Sequence, residues 1–413
     1  FSAGWAPQGG VGPGDGTGLI ADMVNNATAA GILWVNSAGN QRQRHYETQV
    51  PQGDRYDAVV FDGVDGGQFA SPGDPAGSYE YYLELDGDPN TGGVQQISNG
   101  TAIQVYLSWD DWSGTAQDFD MYLYRCTSDC STESNWTEVA SSKNDQTTGY
   151  PYPTEYIGVS APATAYYAIV IEYWRITGPR WIELYSYTHT FESFDEPSSL
   201  LIPADAANAY TAAALDQAVY FSASSPDSYS SQGPINAAGG AGPSLSSTKP
   251  DITAPSCTSS QTYPVFCGTS AAAPHLAGAA ALVLQAYSSY SPADIRAFLG
   301  DATNAGRAHD RGAGGFDSQF GRGLLDLGTP PAYVPDPNYQ PATANWPLFS
   351  QTADNQATAT GAVDPSPVLA WQYKAVGDVR TPVIGDDGKV FFVSNNYLYG
   401  VEPNGDLWMN VDL

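Results

Sequence analysis

Hydrophobic positions along the chain follow different periods in different stretches. Between Asp15 and Ala30 the residues Leu19, Ile20, Met23, Val24 and Ala27 recur at helical spacing, which predicts an amphipathic helix with these side chains turned inward. The glycine-rich run from Gly9 to Gly18 before it reads as a surface loop. Ile32, Leu33, Trp34 and Val35 then predict a strand buried on both faces, and helix followed by buried strand is the unit of a parallel α/β sheet. Ala209 to Asp216 reads as a second core strand, and an alanine-rich helix starts at Ser270. Further on, Ser291-Pro292-Ala293-Asp294 supplies a cap, a proline at the first helical position and an acid in the first turn, with Gly300 as the stop.

Residues 41 to 57 are polar and mixed. From Ala58 to about Phe194 the period shortens to two, predicting strands at Tyr79–Leu85, Ala102–Trp109, Phe119–Tyr124, Tyr156–Val159, Tyr166–Tyr173 and Arg180–Tyr187. Aromatic and β-branched, with Gly, Asn and Asp between them, these segments predict an all-β sandwich. Residues 329–367 are rich in Pro, Ala, Thr, Asn and Gln and read as a linker. Four short strands are expected after it, in Ala370–Lys374, Thr381–Phe392, Tyr397–Val401 and Gly405–Trp408.

Composition narrows the function. At 413 residues the chain exceeds one small core, and more than one domain is expected. Formal charge is −29, yet only 14% of residues are charged, so scarcity of Lys and Arg sets the acidity. That balance argues against nucleic-acid partners. It suits an extracellular protein. No run of eighteen apolar residues occurs, so no membrane span is predicted. The cysteines fall into two local pairs, Cys126 with Cys130 and Cys257 with Cys267, whose close spacing suggests two small disulfide loops and an oxidising compartment. Three pairings are possible on paper, and metal binding is the competing reading, although the spacings lack the histidines of zinc sites.

Candidate chemistry lies in two segments. Phe266-Cys267-Gly268-Thr269-Ser270-Ala271-Ala272-Ala273-Pro274-His275-Leu276-Ala277-Gly278 delivers one serine to a helix N-terminus, where free N–H groups and the macrodipole favour a developing oxyanion. Gly31 to Asn40 ends a predicted strand with Ser37-Ala38-Gly39-Asn40, placed where open α/β sheets bind ligands. Read alone, the first is an N-capped core helix and the second a Gly-Asn turn.

Together these segments resemble the nucleophile and oxyanion motifs of subtilisin-like serine proteases, the subtilases. Tyr229-Ser230-Ser231-Gln232-Gly233-Pro234, Lys249-Pro250-Asp251-Ile252-Thr253-Ala254-Pro255 and Gly321-Arg322-Gly323-Leu324-Leu325-Asp326 resemble further family segments in the family's order. The resemblance implies Ser270 as nucleophile and Asn40 as oxyanion donor, with Ser2, Ala3, Gly4, Ser37, Ala38, Gly39, Gly268 and Thr269 meeting an extended peptide or protein substrate. Phe1-Ser2-Ala3-Gly4 resembles the edge that pairs with substrate backbone. In the family the acid and the base precede the serine in the order Asp, His, Ser, so both are expected before Phe1.

Four histidines are candidates to replace that base. His275 is five residues past Ser270, about 140° around the helix, and is expected to be packed and structural. His45 follows the oxyanion strand and could approach the cleft, but is expected in a solvated loop; His189 falls in a strand-like stretch and His309 in a polar loop, neither with a partner pattern. None is assigned as the base.

The β-rich stretch containing Leu107 to Asp111 and Asp118 to Tyr124 resembles the jelly-roll domain of the bacterial pre-peptidase C-terminal type. Asp110, Asp111, Asp118 and Asp120 there would supply oxygens for a structural Ca²⁺, or else serve as solvated turn residues; catalysis itself requires no cofactor. The C-terminal strands resemble one blade of a pyrroloquinoline-quinone-repeat propeller, a name that implies no bound cofactor. The expected architecture is α/β: a subtilisin-like parallel sheet over 1–46 and 198–328, an inserted all-β sandwich over 58–194, the linker 329–367, and a partial propeller blade over 368–413. A secreted endopeptidase is the function this implies; the rival is a non-catalytic adhesion or scaffold protein built on a decayed protease.

Overall fold

Tyr210–Asp216 and Ile252–Ser256 are almost wholly buried strands, and they form the middle of a five-stranded sheet. Its order is Val35–Ser37, Tyr210–Asp216, Ile252–Ser256, Leu324–Leu325 and Ala308–His309, parallel except for the last pair. The computed structural model describes residues 1–328 apart from 53–56, 59–67, 71–78, 87–93, 113, 115–116, 131–132, 149, 261–262 and 302–307, and beyond them 383–384, 389–394, 397–402 and 406–412. Two units result, Phe1–Thr329 and Pro330–Leu413.

The first strand, β1 (Val35–Ser37), begins later than its apolar run predicts. Only these three residues pair along Tyr210–Ala212, which leaves Ile32 55% exposed. Helix α1 (Leu19–Ala29) is shorter than the predicted span, starting after Gly18, whose φ of +97° breaks the helix. Its buried stripe is also narrower: Ala21 and Val24 pack on Ala206 and Ala209, whereas Leu19 and Met23 are exposed. The glycine-rich run is not wholly a surface loop, since Gly12, Pro13 and Gly14 are buried.

Helix α2 (Thr269–Ala286) covers the sheet with Ala272, Ala273, Leu276, Ala279, Ala280 and Val283. Small alanines let helix and sheet approach closely, and Ala212, Ala214 and Ala254 do the same from the sheet side. Helix α3 (Pro292–Leu299) has the expected stop at Gly300 and a full capping box, with Ser291 and Asp294 bonding each other's backbone N–H.

Between β1 and Tyr210 the chain forms two larger antiparallel sheets and a two-stranded one, Gln68–Ala70 with Tyr79–Tyr81. One of the larger two has the order Thr154–Ser160, Ala102–Trp109, Arg180–Ser186 and β2 (His45–Val50); the other runs Thr190–Phe191, Leu83–Asp86, Tyr166–Arg175, Asp118–Cys126 and Trp136–Ser142. Ile103, Val105, Leu107 and Ile182 from one share a core with Leu83, Phe119, Met121 and Ile169 from the other. The alternation in the sequence is the alternation of strand faces into this core.

Strand β2 is absent from the sequence reading. Tyr46, Thr48 and Val50 lie on the side of the shared core and His45 and Glu47 on the opposite one, but only Tyr46 and Val50 are apolar, so the alternation is faint in the sequence. Both expected disulfides are present, Cys126–Cys130 and Cys257–Cys267. In the second unit, Val383–Ile384, Val390–Ser394, Tyr397–Val401 and Leu407–Asp412 form an antiparallel meander around Phe392, Tyr399 and Val401. The segment Thr381–Phe392, read as one strand, thus contributes two. The expected strand Ala370–Lys374 and the linker 329–367 lie outside the described residues.

Candidate active site

Strand β1 delivers Ala38, Gly39 and Asn40 past the sheet end. Ala38 N–H donates to Ala212 O at 3.0 Å, and Ala38 O accepts from Leu201 N–H at 3.0 Å. Gly39 takes φ +115°, and a Cβ there would come within 2.8 Å of Ser231 Oγ and 2.9 Å of Leu201 Cγ. Glycine is therefore required by both backbone and space. Ser231 N–H donates to Gly39 O at 3.0 Å and Ser231 Oγ accepts from Gln41 N–H at 2.9 Å, so the Tyr229 to Gly233 turn holds the segment from one side.

The serine segment meets Asn40 from the other. Gly268, at φ +116°, ends the approach and begins α2. Its N–H donates to Ser256 Oγ at 2.9 Å and to Tyr229 OH at 3.1 Å. Burial and the Asp227 carboxylate push the Tyr229 phenol upward, which keeps its hydroxyl protonated. Ser256 carries no pattern that would have singled it out in the sequence. The Cys257–Cys267 bond closes the loop leading into Gly268.

Thr269 joins the two segments. Its backbone N–H and its hydroxyl both donate to Asn40 Oδ1 at 3.0 Å, and its hydroxyl accepts from Gly39 N–H at 3.1 Å. A backbone N–H can only donate, so the Asn40 oxygen is the atom turned toward Thr269 and the amide hydrogens point elsewhere. Ser270 follows on the first turn of α2, half-buried. Its hydroxyl donates to Ser2 O at 3.0 Å, and the Ser2 hydroxyl donates to Ser270 O at 3.2 Å. Ser2 and Ala3 are exposed and Gly4 half-buried, while Phe1 O accepts from Ser37 N–H at 3.0 Å beside β1. All ten sequence-singled residues, Ser2, Ala3, Gly4, Ser37, Ala38, Gly39, Asn40, Gly268, Thr269 and Ser270, therefore fall in the two segments and the short edge that meet here.

The histidines are engaged elsewhere. His275 Nδ1 bonds Ala271 O at 2.7 Å, but the side chain is exposed rather than packed as expected. His45 is fully buried in β2, not solvated, because the sheet carrying it is covered on its outer face; its Nδ1 bonds Asp195 O at 2.9 Å. His189 is a buried turn residue beside Thr188 Oγ1 at 2.9 Å, and burial with Arg44 nearby lowers it to about 4. His309 pairs with Asp326, just past the neighbouring strand, at 2.6 Å, a partner that no sequence pattern indicates.

The four candidate calcium aspartates each have protein partners. Asp110 lies 3.5 Å from Arg180, Asp111 accepts from Gln117 N–H at 2.9 Å, Asp118 from Gln146 N–H at 3.3 Å, and Asp120 from Tyr122 OH at 3.3 Å. A cleft of about 560 Å³ elsewhere is lined by Tyr210, Asp251, Arg296 and Arg322, and none of the ten site residues reaches it.

A serine hydroxyl at a helix start, beside an amide whose hydrogens are free, is an arrangement suited to acyl transfer. The sequence model described as "Subtilase family" matches residues 5–323, and the chain belongs to that family, one of serine proteases. No curated protein matches it. Among solved structures, the CspB protease of Clostridium perfringens is 13% identical with TM-score 0.46, covering 79% of this chain and 64% of that one. A structure described as an S41 psychrophilic protease is 26% identical with TM-score 0.26, covering 32% of this chain and 44% of its own. The chain thus spans less than two thirds of either protein.

Proposed function

We propose that this chain supplies the nucleophile and the oxyanion donor of a secreted subtilisin-like serine endopeptidase. The observation that carries the reading is the pair of hydrogen bonds from Thr269 to Asn40 Oδ1, which leaves the Asn40 amide hydrogens as donors beside the start of α2. Ser270 Oγ attacks the scissile carbonyl while a base takes its proton. Asn40 Nδ2 and the Ser270 N–H hold the resulting oxyanion. The base then protonates the leaving amine, and water hydrolyses the acyl-enzyme. The four histidines bond other groups, so none of them is assigned as this base.

Substrate enters as an extended strand along Ser2 to Gly4, where it takes the place of the Ser270 hydroxyl on Ser2 O, and passes Ser37 to Gly39 and Gly268–Thr269. Unfolded peptide is the matching substrate class. Two disulfides support an oxidising, extracellular setting. We read the two larger antiparallel sheets as an inserted jelly-roll-like sandwich and residues 368–413 as a propeller-type repeat; any Ca²⁺ would be structural.

Peptide hydrolysis by the protein that contains this chain tests the reading. Ser270→Ala should lower kcat by about 10⁶, and Asn40→Ala by about 10²–10³, magnitudes known from subtilisin itself rather than derived from this chain. Hydrolysis unchanged by Ser270→Ala would refute it.

A further inference from the structure

His45, Glu47 and Glu183 bring one imidazole nitrogen and two carboxylate oxygens within 4.8 Å of one another. His45 and Glu47 project from the same face of β2, and Glu47 sits directly opposite Glu183 on the neighbouring strand. This is the outer face of the sheet, turned away from the sandwich core and toward the α/β body. His45 and Glu183 are 0% and 3% exposed. His45 Nε2, Glu47 Oε1 and Glu183 Oε1 are all buried without a hydrogen-bond partner. Three unsatisfied polar atoms turned toward one point are costly unless something occupies it.

The surroundings orient these atoms as ligands. Asp195 O can only accept, so His45 Nδ1 carries the hydrogen of their 2.9 Å bond, and in the neutral ring Nε2 presents its lone pair. Glu183 Oε2 accepts from Asn236 Nδ2 at 2.8 Å, which turns Oε1 toward His45. Asn236 is itself fixed by donating to Pro13 O at 3.1 Å. Glu47 N–H donates to Asp195 Oδ2 at 3.0 Å. Ligands held by a second layer of backbone and amide groups are the usual dress of a metal site.

Electrostatics argue the same way. Like charges directly opposite across an antiparallel pair destabilise it. Among the described residues no lysine or arginine forms an ion pair with Glu47 or Glu183, and the one ion-pair partner of Glu183 is His45, when that ring is protonated. A dication would neutralise both carboxylates. His45 Nε2 and Glu183 Oε1 are 3.6 Å apart, too far for a hydrogen bond. Two tetrahedral ligands with bonds of about 2.0–2.1 Å stand roughly 3.3 Å apart, so this pair needs only a small closure.

We propose that His45, Glu47 and Glu183 form a binding site for one divalent transition-metal ion, with Zn²⁺ as the favoured occupant. An imidazole with two carboxylates suits zinc and its neighbours, whereas Ca²⁺ prefers oxygen donors throughout. The site clamps the strand that follows Asn40 to the junction between the sandwich and the α/β body. It stands independently of the protease reading.

The test is metal content and affinity of the 413-residue chain. Chain produced in zinc-supplemented medium and dialysed should hold one zinc per molecule by mass spectrometry. After chelator treatment it should rebind Zn²⁺ or Co²⁺ at one equivalent, with the visible spectrum of tetrahedral Co²⁺. Asn236→Ala should weaken binding about 10–100-fold, and His45→Asn and Glu183→Gln by more. Where a ligand variant fails to fold, the original chain decides: its melting temperature should rise with Zn²⁺ and not with Ca²⁺. A stripped, folded chain that takes up neither Zn²⁺ nor Co²⁺, or binding unaffected in folded His45→Asn and Glu183→Gln, would overturn the proposal.

Discussion

Asp205 is a fully buried carboxyl whose Oδ2 accepts from Gly16 N–H at 2.9 Å and whose Oδ1 has no partner. Burial raises it from 3.8 to about 7. Between those values the folded chain keeps a proton that the unfolded chain has released. Its contribution to stability is therefore complete below pH 3.8 and lost as pH rises through 7. Asp205→Asn keeps the acceptor and removes the titration. Relative to the original chain it should gain stability between pH 5 and pH 8, on the order of a few kcal/mol, in paired denaturant titrations. A constant difference across that range would contradict this. At the same scale, Gly39 was legible because φ +115° demands glycine, and the meeting of the Asn40 and Ser270 segments was legible because Thr269 bonds Asn40 Oδ1. Ser256 was not, since a serine that braces Gly268 looks like any other serine.

Among elements, those with a regular period or a local cap were readable. Helix α3 announces itself because Ser291, Pro292 and Asp294 act on the backbone within one turn. Ala102–Trp109 has the predicted bounds because its buried side chains feed a single core. Strand β2 was not readable, because only Tyr46 and Val50 of its six residues are apolar and its other face is held by residues far along the chain, Tyr185, Glu183 and Asn236 among them. Leu19 and Met23 misled for the converse reason: helical period tells which residues share a stripe, not how wide a stripe its neighbours cover. The loop closed by Cys257–Cys267 leads straight into Gly268 and spans ten positions. Replacing both cysteines by serine should lower stability by about 2–3 kcal/mol through added freedom of the unfolded chain, read as a denaturant midpoint shift. An unchanged midpoint would show that the bond constrains nothing the fold needs.

At the scale of residues 1–329, the antiparallel sheets are docked on the α/β body rather than hung from it. Tyr185 packs with Ala6 and Leu201, Tyr187 OH accepts from Ala6 N–H at 2.6 Å, and Tyr185 OH donates to Ser198 O at 3.0 Å. Burial of this junction couples the two parts energetically. Residues 1–329 should accordingly unfold in one calorimetric transition; two resolved transitions would contradict the coupling. Strand β2, which is part of this junction, starts only a few residues past Asn40.

The central claim is that Ser270 is the nucleophile. Active-site labelling with a fluorophosphonate, mapped by peptide mass spectrometry in the protein that contains this chain, addresses it most directly. A single adduct on Ser270, sharply reduced in rate by Asn40→Ala, is the expected result. An adduct on another residue, or labelling that survives Ser270→Ala, would contradict it.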